Sequence, residues 1–217
     1  MIQVLLVDDH ELVRTGIKLM LQDTADIKVI AEVASGEEAV RMAREIKPDV
    51  ILMDVNMPGI GGLEATIRLL RAEPLIKVLI LSTHTDEVLP SRLISLGAAG
   101  YLSKNTTREE LITAIQTVNA GQFYVDPTMM DLIVMPRFNP KESTTPIAEL
   151  SERELQVLLM VARGMEVNEI AEKLFLSAKT INGYRTNILK KLGVKTDVEA
   201  ARIAIKHGLI DVDSQWH

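Results

Sequence analysis

The stretch that constrains this chain most is Val50-Ile51-Leu52-Met53-Asp54-Val55-Asn56-Met57-Pro58-Gly59. Four apolar residues run without interruption into one carboxylate, and a Met-Pro-Gly turn signal follows. A short continuous apolar run closed by Pro-Gly reads as a fully buried strand ending in a loop. Asp54 then stands at the strand's C-terminal end, where open parallel sheets place their chemistry. A single aspartate there is ordinarily a turn starter. What stands at the other strand ends decides between the two.

Residues 3–7, 28–32, 77–83 and 100–104 read as further strands. Helical periodicity fills the intervals. Leu12, Val13, Ile17, Met20 and Leu21 form one apolar face. Ser35-Gly36-Glu37-Glu38 has the form of a capping box and opens a helix to about Ile46, which Pro48 stops. A third helix covers 63–71, and a fourth covers 89–96 with Gly97 as its stop. Thr107-Arg108-Glu109-Glu110 repeats the capping-box form before a fifth helix to about Asn119. Five strands alternating with five helices imply an α/β unit with a doubly wound, five-stranded parallel sheet.

In such a sheet Asp8-Asp9, Asp54, Ser82-Thr83 and Lys104 all fall on one edge. Three crowded carboxylates need a counter-charge. Hard oxygen donors favour Mg²⁺. Lys104 supplies a fixed positive charge and Ser82 a hydroxyl. That set suits a phosphoryl group held on a carboxylate.

The remainder is different in kind. The segment 123–147 contains Pro127, Pro136, Pro140 and Pro146 and reads as an interdomain connector, with an apolar patch at 129–135. Beyond it, Ser151 and Glu154 form a capping box, with Leu150 placed as a staple. Leu155, Leu158, Leu159 and Ala162 face inward. Helices are expected at 168–174 and 178–192, joined by a tight turn at 175–177. A last helix is capped by Asp197 and stopped by Gly208. Two helices joined by a short turn, the second longer, read as a helix-turn-helix. Although the net charge is −6, the stretch 173–196 carries Lys173, Lys179, Arg185, Lys190, Lys191 and Lys195 and no acid, a footprint suited to phosphates. There is no cysteine, so disulfides and thiolate metal sites are excluded. No apolar run approaches the ~20 residues of a membrane span. Aspartates interrupt the N-terminal apolar run before a signal core forms. A cytoplasmic protein is expected.

The strings Val7-Asp8-Asp9-His10, Met53-Asp54-Val55-Asn56-Met57-Pro58-Gly59 and Gly97-Ala98-Ala99-Gly100-Tyr101-Leu102-Ser103-Lys104 resemble the signatures of bacterial response-regulator receiver domains. That resemblance implies a flavodoxin-like receiver at 1–122. It implies Asp54 as phosphoacceptor, and Mg²⁺ held by Asp8, Asp9, Asp54 and the backbone carbonyl of Asn56. Lys104 and Ser82 would contact the phosphoryl group, with Tyr101 as the switch aromatic. The strings at 150–154, 168–174, 176–181 and 190–193 resemble the LuxR-type four-helix DNA-binding module, implied at 148–217. Lys179, Asn182, Gly183 and Thr186 match its groove-facing positions. Thr180 and Lys190 match positions near phosphates. Val198, Ala201 and Ile205 match the last-helix dimer contact. Together the two modules resemble the NarL/FixJ class. The segments 58–66, 120–122 and 179–185 are similar to its GacA/UvrY branch. The resemblance implies a hybrid sensor histidine kinase as donor, double-stranded DNA as target, a homodimer after phosphorylation, and promoters of small regulatory RNAs.

Two other readings stay open on the residues alone. One is a phosphorylation-independent DNA binder with a vestigial receiver, against which the full set of acids speaks. The other is a Mg²⁺-dependent phosphatase with Asp54 as nucleophile. Such an enzyme needs an acid two residues on to protonate the leaving group, and that position is Asn56. No turnover is therefore expected.

Overall fold

The computed structural model describes residues 1–82, 88–127, 145–207 and 209–210. Thr83, the apolar patch at 129–135 and Gly208 lie outside the described residues. The chain divides into two compact units, Met1–Ile133 and Val134–His217.

The first unit alternates as expected: β1 (Ile2–Val7), α1 (Glu11–Leu21), β2 (Ile27–Val33), α2 (Gly36–Ile46), β3 (Val50–Asp54), α3 (Gly61–Ala72), β4 (Lys77–Ser82), α4 (Val88–Ser95), β5 (Gly100–Ser103), α5 (Arg108–Asn119) and β6 (Tyr124–Val125). The sheet order is β2-β1-β3-β4-β5-β6, and every pairing is parallel. The expected count of five strands is corrected to six. Tyr124 and Val125 pair with Gly100 and Tyr101, in a segment expected to be connector. Two residues are too few to show a period. Gly100 permits the approach, since a Cβ there would lie 2.5 Å from the Tyr124 carbonyl oxygen.

All five residues of β3 are buried, as a strand covered on both faces requires. One face of the sheet offers Val4, Leu6, Leu52, Leu79, Leu81 and Leu102 to Leu111, Ala114, Ile115 and Val118 of α5. Each aliphatic side chain so buried contributes about 1.5–3 kcal/mol. Ile80, Ser82 and Tyr101 point to the opposite face by strand alternation. Helix α3 starts at Gly61, two residues before the expected start. A Cβ on Gly62 would lie 2.0 Å from the Asp54 carbonyl oxygen, so this glycine allows α3 to begin directly against the strand end that carries Asp54. Leu12, expected to face inward, is instead 88% exposed.

The second unit opens with a 3₁₀ turn, Pro146–Glu149, followed by α6 (Glu152–Ala162), α7 (Val167–Leu174), α8 (Ala178–Leu192) and α9 (Asp197–Lys206). Ser151 and Glu154 form the expected capping box on α6. Ser177 caps α8 by accepting from the Thr180 N–H. The last helix is capped by Thr196 with Glu199, not by Asp197, which is its first helical residue. The reason is local: the Thr-x-x-Glu pair satisfies two terminal N–H groups reciprocally. The core holds Leu155, Leu158, Leu159, Ile170, Leu174, Ile181, Ile188 and Leu192.

Candidate functional site

Parallel strands bring their C-terminal ends together, and here that edge carries the residues expected there. Asp8 follows β1, Asp54 ends β3, Ser82 ends β4 and Lys104 follows β5. The Lys104 ammonium lies 2.6 Å from Asp8 Oδ2 and 3.0 Å from Asp54 Oδ2. Asp8 and Asp54 are 0% and 1% exposed. Burial pushes the Asp54 carboxyl above the ordinary carboxylate range. Lys104 opposes that rise and the Asp8 charge adds to it. Burial alone would lower Lys104, but Asp54 and Asp8 hold its ammonium above the ordinary lysine value. Lys104 is thus a fixed cation, and Asp54 a carboxylate whose charge is poorly compensated.

The loops bind these groups in place. The His10 N–H donates to Asp8 Oδ1 at 2.8 Å, and Arg14 Nη1 donates to the Asp8 carbonyl at 2.7 Å. The Asn56 N–H donates to Asp54 Oδ1 at 3.1 Å, an Asx-type turn that aims the carboxylate. The Lys104 N–H donates to the Ser82 carbonyl at 2.8 Å, tying the ends of β4 and β5. Glu37 accepts from the Ile60 N–H at 3.2 Å and anchors the loop after Asp54 from α2. Ser82 is paired in register with Ser103 and Ile80 with Tyr101, so Ser82 and Tyr101 share one face. Both are buried.

Donor atoms of Asp8, Asp9, His10 and Asp54 lie within 4.8 Å of one another. Two carboxylates share one lysine ammonium and Asp9 adds a third beside them, leaving excess negative charge among hard oxygen donors. Such a donor set fits a divalent cation of the Mg²⁺ kind. His10 was absent from the expected site. Its Nδ1 lies 3.1 Å from Asp9 Oδ1, and the only sequence signal for it is adjacency to Asp8-Asp9.

On α8, Lys179, Thr180, Asn182, Gly183, Thr186 and Lys190 are all exposed, while Ile181, Ile188 and Leu192 are buried. The exposed positions recur at three- and four-residue spacing along one stripe. The six-cation footprint is smaller than its sequence suggests. The Lys191 ammonium is ion-paired, 2.7 Å from Glu154 Oε2, and Arg185 is ion-paired with Asp197. On α9, Val198 is 64% and Ile205 38% exposed, with Ala201 half-buried between them. That apolar stripe faces out of the unit, while Ala200 and Ala204 face in.

A doubly wound sheet with an acid–lysine edge, joined to a helix-turn-helix unit, defines a receiver-type regulator of DNA. The chain belongs to the two-component response regulators with a LuxR-type DNA-binding domain: residues 4–116 match the response regulator receiver domain and residues 148–204 the luxR family of bacterial regulatory proteins. Response regulator GacA of Pseudomonas aeruginosa is 48% identical over 214 residues, covering 99% of this chain and 100% of that protein. Response regulator UvrY of Escherichia coli is 46% identical, covering 99% and 98%. Among solved structures, the response regulator ChrA of a heme-sensing two-component system is 31% identical with a TM-score of 0.53, covering 96% and 98% of the two chains. RcsB of Salmonella typhimurium is 25% identical with a TM-score of 0.73, covering 95% and 98%. The protein is accordingly a phosphorylatable, DNA-binding transcription regulator. Among the described residues, no helix is long and apolar enough to cross a membrane.

Proposed function

We propose that Asp54 accepts a phosphoryl group from a phosphohistidine of a hybrid sensor kinase and that the phosphorylated protein binds DNA as a dimer. The observation that carries this reading is the buried Asp54 carboxylate, 3.0 Å from a lysine that it shares with Asp8. An Asp54 oxygen attacks phosphorus, the P–N bond to the kinase imidazole breaks, and the imidazole leaves with the electron pair. Asp8, Asp9, Asp54 and the Asn56 carbonyl would hold Mg²⁺, which when bound neutralises phosphoryl charge during transfer. The phosphoryl group adds about −1.5 to −2 charge. Lys104 then moves from the carboxylates to the phosphoryl oxygens, and the Ser82 hydroxyl turns toward them. Tyr101, on the same face as Ser82, follows and reshapes the surface made by β4, α4, β5 and α5. Asn56 offers no carboxyl to protonate an ester leaving group or to activate water, so the phosphoryl group is kept, not turned over.

In the second unit, α8 enters the major groove. Lys179, Asn182, Gly183 and Thr186 face the bases, and Thr180 and Lys190 lie near phosphates. The outward stripe Val198, Ala201 and Ile205 joins two copies, so that two modules bind two half-sites. The receiver extends from the N-terminal strand through 125, and the connector runs to about 147. GacA and UvrY at 46–48% identity support placing this chain in their branch, with small regulatory RNA promoters as targets and the cytoplasm as its location. The test uses the full chain with acetyl phosphate and Mg²⁺. Sedimentation should show dimer, and binding to promoter DNA should tighten. Asp54→Asn should do neither, and a variant that dimerises and binds as the phosphorylated protein does would refute the reading. Steady hydrolysis of an aryl phosphate would favour the phosphatase alternative instead.

A further inference from the structure

The recognition stripe of α8 contains one side chain whose carboxamide oxygen already accepts a hydrogen bond from within the helix. Asn182 is exposed at the middle of the stripe. Its Oδ1 accepts from Arg185 Nη1 at 3.1 Å. Arg185 cannot turn freely, because its Nε donates to Asp197 Oδ1 at 3.4 Å and its Nη2 is ion-paired with Asp197 Oδ2. Asp197 is the first residue of α9, directly after the N-cap Thr196. A planar guanidinium with several donors in fixed geometry can hold a carboxylate and an amide oxygen at once, which an ammonium cannot do with the same direction.

We propose that Arg185 is a positioning residue that fixes the Asn182 carboxamide with its oxygen turned toward the protein and its NH₂ toward the DNA, so that this position reads a hydrogen-bond acceptor edge, guanine before adenine. The inference rests on the reading of α8 as the groove-entering helix. An asparagine with both ends free pairs bidentately with adenine, giving a bond to N7 and taking one from N6. With one lone pair of Oδ1 taken by Arg185 and the amide oriented by that bond, the donating NH₂ is the end turned outward. Guanine offers two acceptors there, O6 and N7, whereas adenine places a donor beside N7 and cytosine presents a donor. The pairing with Asp197 also removes Arg185 from the cations free to neutralise phosphates. Its loss should therefore change which base is chosen more than how salt weakens binding.

The test is selection by the full chain, phosphorylated with acetyl phosphate, from a duplex pool with a randomised core. Wild type, Asn182→Ala, Arg185→Met, Arg185→Lys and the Asn182→Ala/Arg185→Met double variant are compared. In wild type, one position per half-site should prefer guanine over adenine by about tenfold, the order of a single base contact. Asn182→Ala should flatten that position, Arg185→Met should flatten the same position, and the double variant should add nothing. Arg185→Lys keeps the charge and should still lose the discrimination, which controls for a folding defect together with an unchanged circular dichroism melt. The proposal is overturned if Arg185→Met leaves that position intact. It is also overturned if Arg185→Met weakens all sequences alike with a salt slope shallower by roughly 0.9, the mark of a phosphate contact. A wild-type preference for adenine at that position would overturn the acceptor-edge assignment. If Asn182→Ala and Lys179→Ala both leave every position unchanged, the groove-entry reading itself fails, a result distinct from the failure of Arg185 alone.

Discussion

Replacing Asp54 by Asn removes one of two buried carboxylates that share a single ammonium, and without metal this should stabilise the receiver. Lys104 sits 2.6 Å from Asp8 and 3.0 Å from Asp54. One cation against two ionised groups leaves a charge uncompensated where water is excluded. Burial raises the Asp54 carboxyl above its ordinary value of 3.8. For an acid raised on folding, the stabilising contribution is fully present below 3.8 and is lost as pH rises through the folded-state value. At pH 7 the ionised Asp54 therefore opposes folding, by on the order of 1–3 kcal/mol for a buried charge that shares its counter-ion. Asp54→Asn should recover about that amount at pH 7 in EDTA, and the gain should shrink as pH falls toward 4. Excess Mg²⁺ should narrow or reverse the difference, because binding stabilises wild type by RT ln(1 + [L]/Kd) and the variant lacks a ligand. Hydrogen exchange of the β3 and β4 amides in urea reads this within the full chain. A variant less stable than wild type at pH 7 in EDTA, or a gain that ignores pH, would refute the reasoning.

Three further outcomes follow from the geometry. Gly62→Ala places a Cβ 2.0 Å from the Asp54 carbonyl oxygen; it should cost about 3 kcal/mol or more and lower phosphorylation, both seen by exchange of β3 amides and by mass spectrometry. Burial pushes the Glu154 carboxyl up, but the Lys191 ammonium and the Ser151 N–H and hydroxyl hold it below its ordinary 4.5. Its stabilising contribution is therefore present above 4.5 and lost as pH falls through the folded-state value. Glu154→Gln should weaken α6–α8 by about 1–3 kcal/mol at pH 7 and flatten the acid side of the unfolding profile. Lys179→Ala should weaken DNA binding with a salt slope shallower by about 0.9; an unchanged slope in filter binding removes Lys179 from the phosphate contacts.

The acid–lysine edge was legible because parallel strands end on one side, so Asp8, Asp54 and Lys104 had to meet once the alternation was read. The capping boxes at Thr107 and Ser151 were legible for a local reason, since each joins residues three apart. What escaped was set by partners distant in sequence. Lys191 is paired with Glu154, 37 residues away, and Arg185 with Asp197, 12 residues away. No helical period reveals that a cation is already spoken for. Strand β6 escaped because two residues carry no alternation, and its place depends on the missing side chain of Gly100. Leu12 misleads because it shares a second apolar stripe with Leu19, seven residues on and 64% exposed, at the margin of the face formed by Val13, Ile17 and Met20.

The central claim is that Asp54 is the phosphoacceptor, and direct mapping tests it. The full chain is incubated with acetyl phosphate and Mg²⁺, reduced with borohydride, which converts an acyl phosphate to the alcohol, and sequenced by mass spectrometry. Conversion is expected at Asp54 alone and is lost in Asp54→Asn. Conversion at Asp8 or Asp9 in the wild type, or none at any aspartate, would contradict it.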